Sequence, residues 1–221
     1  MSSVTANGPG GENEERGRLA LGPLKRIMPP ESGVGEDVNW AELRKAWGTS
    51  LPSDYMAFMA EYGAGEISGA FSIVRPQKPG ATSSDMSGMA YETVNARELW
   101  QPAPAPSGAG AGLSPVIAWG ISAGADILCW LTERSDPNRW PVVVLGRHTK
   151  TLWNTYDCGM TEFLRRLFHA EFDECPLSDE TLWGNSSPQF LNYREIEQLR
   201  EAGVDPWTGE PDPYADAMFD D

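Results

Sequence analysis

Trp40-Ala-Glu-Leu-Arg-Lys-Ala-Trp-Gly-Thr-Ser-Leu-Pro-Ser-Asp-Tyr-Met-Ala-Phe-Met-Ala-Glu-Tyr-Gly-Ala-Gly65 reads as two short amphipathic helices joined by a Leu-Pro turn and closed by a glycine pair. Asn39 is placed to cap the first helix with Glu42 in a box-like arrangement, Trp40, Leu43 and Trp47 share a face, and Gly48 suits the stop. Pro52 stands near the start of the second helix, where its missing N–H costs nothing. Tyr55, Phe58, Met59 and Tyr62 follow the i, i+3, i+4, i+7 spacing of a buried stripe, and Gly63 supplies the left-handed residue that ends many helices. The stretch carries packing information and no chemistry.

Working outward, Ala70–Arg75 alternates as a strand and stops at Pro76, and Met86–Trp100 has a weak helical pattern. Pro102–Gly112 is a low-complexity connector, stiff in its proline half and flexible in its glycine half. Four strands are predicted at Pro115–Trp119, Asp126–Glu133, Trp140–Arg147 and Thr151–Tyr156. The short separators 135–138 and 146–150 have turn compositions that favour an antiparallel meander, since parallel crossovers need more chain. Met160, Phe163, Leu164, Leu167 and Phe168 mark one face of a closing helix, with Arg165 and Arg166 turned to water. Strands flanked by helices describe an α+β domain, an antiparallel sheet with helices over one face or end.

These blocks together resemble the SUKH superfamily, the Smi/Knr-type domain. The likeness is carried by Leu51, Pro52, Tyr55, Phe58, Tyr62, Gly63 and Gly65, and then by the blocks around Trp119, Asp126, Trp130, Trp140 and Trp153. It covers roughly residues 38 to 172, and it implies the same α+β fold with matched positions that are mainly structural. On this reading residues 1–35 form a disordered leader, 36–175 the SUKH-like domain, and 176–221 an acidic, aromatic-containing C-terminal extension. Tyr193–Ala202 is expected to form one more short helix ended by Gly203, and the extension's aromatics to tack it onto the domain.

The chain has 221 residues, a size suited to one domain with tails, and 40% of them are hydrophobic, enough for a core without staples. Three cysteines, Cys129, Cys158 and Cys175, at irregular spacing suit reduced thiols better than a disulfide framework. No apolar run approaches membrane-spanning length and the first residues lack a secretory pattern, so a cytoplasmic location is expected. The formal charge of -15 is concentrated late in the chain, where residues 173–221 hold 13 acidic and 2 basic residues. Such a field repels nucleic acid and anionic membrane and attracts a basic protein.

Catalytic and metal chemistry find little to work with. Cys158, His169 and Cys175 lack the close pairs that fix a tetrahedral zinc site, and Asp157-Cys158 with His148 lacks a motif that sets a thiolate against a base. Gly63–Gly65 follows a helix where a phosphate loop would follow a strand. Glu171, Asp173 and Glu174 read as a solvated run. Of the tryptophans on the strands, Trp130 is in phase with Leu128, and Trp140 with Val142 and Val144, which places at least two in the core. No catalytic residue, cofactor or metal is expected. The SUKH resemblance implies an immunity protein of a polymorphic toxin system, a toxin–antitoxin partner that neutralises a delivered toxin domain with a basic surface, often a nuclease. The alternative is a regulatory or scaffold Smi/Knr-type interaction module whose loose ends carry partner motifs.

Overall fold

A computed structural model describes residues 9–30, 35–80, 88–100, 115–149 and 151–212. Its elements run α1 (Pro9–Ile27), α2 (Trp40–Trp47), α3 (Ser53–Glu61), β1 (Gly65–Ile67), β2 (Phe71–Ile73), α4 (Met89–Leu99), β3 (Val116–Ser122), β4 (Ile127–Leu131), β5 (Val142–Leu145), β6 (Trp153–Tyr156), α5 (Met160–Phe168), β7 (Phe190–Asn192) and α6 (Tyr193–Glu201). The fold is α+β, as expected. Its sheet has seven strands in the order β6-β5-β4-β3-β2-β1-β7, every pairing antiparallel.

The decisive stretch folds as read. Asn39 accepts a hydrogen bond from the backbone N–H of Glu42, Gly48 closes α2 at φ 71°, and Gly63 follows α3 at φ 75°. Tyr55, Phe58, Met59 and Tyr62 are all buried. Their burial joins α3 to a core built on one face of the sheet by Ile117 and Trp119 of β3, Leu128 and Trp130 of β4, and Val142 and Val144 of β5. The alternate residues of these strands face the other way. Val116, Ala118, Ile127, Cys129, Val143 and Leu145 form a second cluster, which Ala96 of α4 covers. Helices therefore cover both faces, which corrects the expectation of one. The sheet faces around β4 are apolar on both sides, so each needs a lid.

A register shift between Ala118 and Gly120 makes Trp119 the extra residue of a β-bulge and lets its side chain keep to the main core. Beside it, Gly120 is required: a Cβ there would lie 2.5 Å from the Phe71 ring.

Two boundaries change. The leader expected over 1–35 is, through residues 9–27, the helix α1, and Leu21, Leu24 and Met28 are buried in the main core. Glycines, a proline and charges dilute its helical signal, but α1 takes its stability from tertiary burial more than from propensity. Residues 1–8 and 31–34 lie outside the described residues, as do the 102–112 connector and 213–221. The extension expected from 176 supplies the sheet's last strand, because β7 pairs with β1 through Gly65↔Asn192 and Ile67↔Phe190. Phe190 packs edge-on against Phe58 and Tyr62, and Leu177, Leu182 and Ile196 are buried too. The helix expected over Tyr193–Ala202 is α6, started by a capping box between Asn192 and Glu195.

Candidate functional site

Most residues that carry the family likeness work inside the core. Leu51 is buried beneath the α2–α3 turn, and Pro52 is the residue before α3. Tyr55 donates its hydroxyl to the Val74 carbonyl at 2.9 Å, Phe58 stacks on Tyr62 at 4.5 Å, and Tyr62 donates to the carbonyl of Met28. Gly65 admits β7, since a Cβ there would lie 2.2 Å from the Leu191 carbonyl oxygen. Trp119 and Trp130 are fully buried, their rings 6.2 Å apart, and Trp140 donates its indole N–H to the Arg134 carbonyl. Trp153 lies half-buried on the opposite face against Trp100.

Asp126 is a buried carboxylate in the turn between β3 and β4. It accepts from the Ser122 hydroxyl at 2.7 Å, the Arg147 backbone N–H at 3.0 Å, and the Ser178 backbone and hydroxyl at 2.7 and 2.5 Å. Every donor is aimed at holding loops together, so the residue is a clasp. Its distant partners explain why local sequence shows only an aspartate before a strand.

The groups that could imitate chemistry are spent elsewhere. Asp157 pairs with Arg134 at 3.1 Å, and the Nδ1 of His169 lies 2.8 Å from the Arg165 carbonyl. Burial pushes the Cys158 thiol up to about 11, which keeps it protonated and a poor nucleophile at neutral pH. Among the described residues no group of three or more His, Cys, Asp or Glu side chains is assembled to hold a metal ion.

A different feature stands out, and its walls come from an element the sequence did not reveal. Between α1, the α2–α3 turn and the turn linking β4 to β5 runs a groove of about 570 Å³. Its floor is apolar, formed by Leu21 of α1, Trp40, Leu51, and Met56, Ala57 and Ala60 of α3; Glu14, Arg18, Glu61 and Asp136 stand at its margin. Two ion pairs hold α1 over it: Arg16 to Asp136 at 3.8 Å and Lys25 to Glu61 at 2.8 Å. These pairs are exposed and contribute little energy; the burial of Leu21, Leu24 and Met28 in the main core fixes where α1 crosses. Closer in, the helices touch at Gly17, where a Cβ would lie 2.3 Å from the Ser53 carbonyl oxygen. Asn138 completes the wall. Pro52 has no side chain able to cap α3, and the Asn138 side-chain oxygen accepts the Ser53 N–H at 2.8 Å instead.

No family model, curated protein or solved structure matches this chain. No helix among the described residues is long and apolar enough to cross a membrane.

Proposed function

We propose that this chain is a non-catalytic protein-binding domain of SUKH type, an immunity protein that neutralises a toxin domain with a basic surface. The groove between α1 and α3 carries the reading. An apolar floor of this volume with a polar margin is the form of a site that receives one or two anchoring side chains of a protein partner. The formal charge of -15 supplies the long-range attraction for a basic partner, and the groove supplies the short-range contact. A regulatory module with partner motifs in loose ends draws less support, because α1 and β7 are built into the fold where loose ends were expected.

The experiment is a search of the neighbouring genes for a toxin domain, then protection by this chain of cells that produce that domain, together with titration of the two purified proteins. Protection and a stoichiometric complex are expected. Ala60→Glu, on an exposed groove position, should weaken binding by about tenfold or more without unfolding the domain. Failure to protect or to bind removes the immunity reading, and a complex indifferent to Ala60→Glu moves the contact away from the groove.

A further inference from the structure

Helix α4 is attached to the second face of the sheet mainly through small and polar side chains. Its buried residues are Met89, Ala90, Glu92, Thr93 and Ala96, of which only Met89 reaches the main core, while Tyr91 and Val94 on its outer side are exposed. Two of its side chains, one turn apart, take the place of a strand. β2 runs beside β3 only to Gly120, with a last bond from the Val74 N–H to the Trp119 carbonyl. Beyond that point the Thr93 hydroxyl accepts the Ala118 N–H at 2.9 Å and the Arg97 Nε donates to the Val116 carbonyl at 3.1 Å. Water can serve both backbone groups when α4 lifts, so exchanging these bonds for hydration costs little. Beneath the helix lies Cys129 of β4, fully buried.

Glu92 is the misfit of this layer. It is 5% exposed, it accepts one hydrogen bond, from the Asn95 side-chain amide at 3.2 Å, and it forms no ion pair among the described residues. The groups that face it are the Cys129 thiol of β4 and the Arg147 guanidinium past the end of β5, whose Nε donates to the Ala125 carbonyl at 3.3 Å. β3 presents no titratable side chain, and Arg97 is turned to Val116 and the Trp47 ring. A carboxylate shut between a helix and an apolar face is poorly solvated, so burial raises its titration range and Asn95 and Arg147 offset this only in part.

We infer that α4 is a pH-sensitive cover over Cys129: ionisation of Glu92 promotes local opening of the helix from the β3–β4 face, and protonation of Glu92 holds it shut. Local opening draws on elements with few buried apolar contacts, and the inner face of α4, with Ala90, Thr93 and Ala96 beside a carboxyl, is of that kind. In the open state Glu92 meets water and titrates in the ordinary carboxyl range; in the closed state it titrates higher. Below the ordinary range both states are protonated and the cover is at its tightest. Opening then grows as pH climbs through the raised value of the closed state and levels off above it.

The rate at which a thiol reagent active in mild acid modifies Cys129 in the full chain, followed by peptide mass from about pH 4 to 7, tests this. Cys158 and Cys175 pack against the opposite face of the sheet and are read in separate peptides as controls. At each pH the rate is divided by that of Glu92→Gln, so the pH dependence of the thiol itself cancels. The ratio should rise severalfold from acid to neutral pH. Thr93→Val, which takes the acceptor from the Ala118 N–H, should speed modification by a similar factor at every pH. Thermal unfolding checks that the variants are intact, and Glu92→Met, also neutral, keeps the test usable if Glu92→Gln unfolds. A ratio flat with pH, or modification whose denaturant slope equals that of global unfolding, overturns the inference. Neither outcome depends on partner binding.

Discussion

The carboxylate of Asp54, in the first turn of α3, caps the first turn of α5: one oxygen accepts from the backbone N–H and hydroxyl of Thr161, at 3.1 and 3.2 Å, across 107 residues of sequence. The other accepts the Tyr55 N–H at 2.8 Å. Gly159 makes room for the carboxylate, since a Cβ there would lie 2.9 Å from the oxygen that accepts from Thr161. Two helices that line the core are thereby fixed to one another by a single buried acid.

Burial raises the Asp54 carboxyl above its usual value, and the hydrogen bonds from Thr161 and Tyr55 only partly offset it. A raised acid favours the folded state in its protonated form. That contribution is complete below the ordinary carboxyl range and is lost as pH climbs through the raised value. Glu92, a buried residue of α4, is shifted in the same direction by the same cause. Asp54→Asn holds the site neutral at every pH, so the stability of the natural chain relative to this variant should improve as pH falls from 7 towards 4. Urea unfolding at several pH values measures it, and a difference that stays constant with pH would contradict the assignment.

Leu24 tests the place of α1. It is fully buried with Leu21 and Met28, so Leu24→Ala should cost about 2 to 5 kcal/mol, in the same range as Phe58→Ala at about 3 to 5 kcal/mol. A leader lying outside the domain would tolerate the change with no measurable loss. Denaturant midpoints of the two variants, compared at equal slope, separate the cases.

The contrast between these two residues also shows what the sequence could disclose. Phe58 was legible because its helix is short, apolar on one side, and punctuated by Pro52 and Gly63. Leu24 was hidden because α1 carries Gly17, Gly22 and Pro23, each unfavourable to an isolated helix. Gly17 is needed only because Ser53 crosses it, a relation between distant parts of the chain. β1 and β7 escaped for a related reason: three residues are too few for alternation to register, and what makes them strands is each other. The groove went unseen with α1, which forms its wall. The second face of the sheet was readable in principle from Val116, Ala118, Ile127 and Cys129, whose alternation with Ile117, Trp119, Leu128 and Trp130 leaves both faces apolar.

Asp126 holds the chain's late segment to the sheet, and its removal should be costly. Asp126→Ala leaves the donors of Ser122, Arg147 and Ser178 without their acceptor and should destabilise by on the order of 3 kcal/mol. Because Ser178 acts through Asp126, adding Ser178→Ala to Asp126→Ala should cost less than Ser178→Ala does alone. Additive losses in the double-mutant cycle would place the function of Ser178 elsewhere.

The final expectation concerns how the acidic end acts on the proposed basic partner. Residues 203–212 close into a turn, with Val204 bridged to Pro211 and the Asp205 carboxylate accepting from the backbone of Trp207 and Thr208. The Trp207 ring of this turn lies against Gly69, in the turn between β1 and β2. Removing the chain from Asp205 onward should therefore leave β7 and α6 in place while deleting Asp205, Glu210, Asp212, Asp216, Asp220 and Asp221 with no basic residue. Exposed charges act over a Debye length of about 8 to 10 Å and chiefly speed encounter, whereas the apolar groove governs how long the partner stays. The truncated chain should bind the toxin domain with a slower on-rate at low salt and a nearly unchanged off-rate, and the two chains should converge as salt is raised. Stopped-flow association of both chains reads this directly; equal on-rates at low salt would mean that the acidic end only keeps the protein solvated, and that recognition rests on the groove alone.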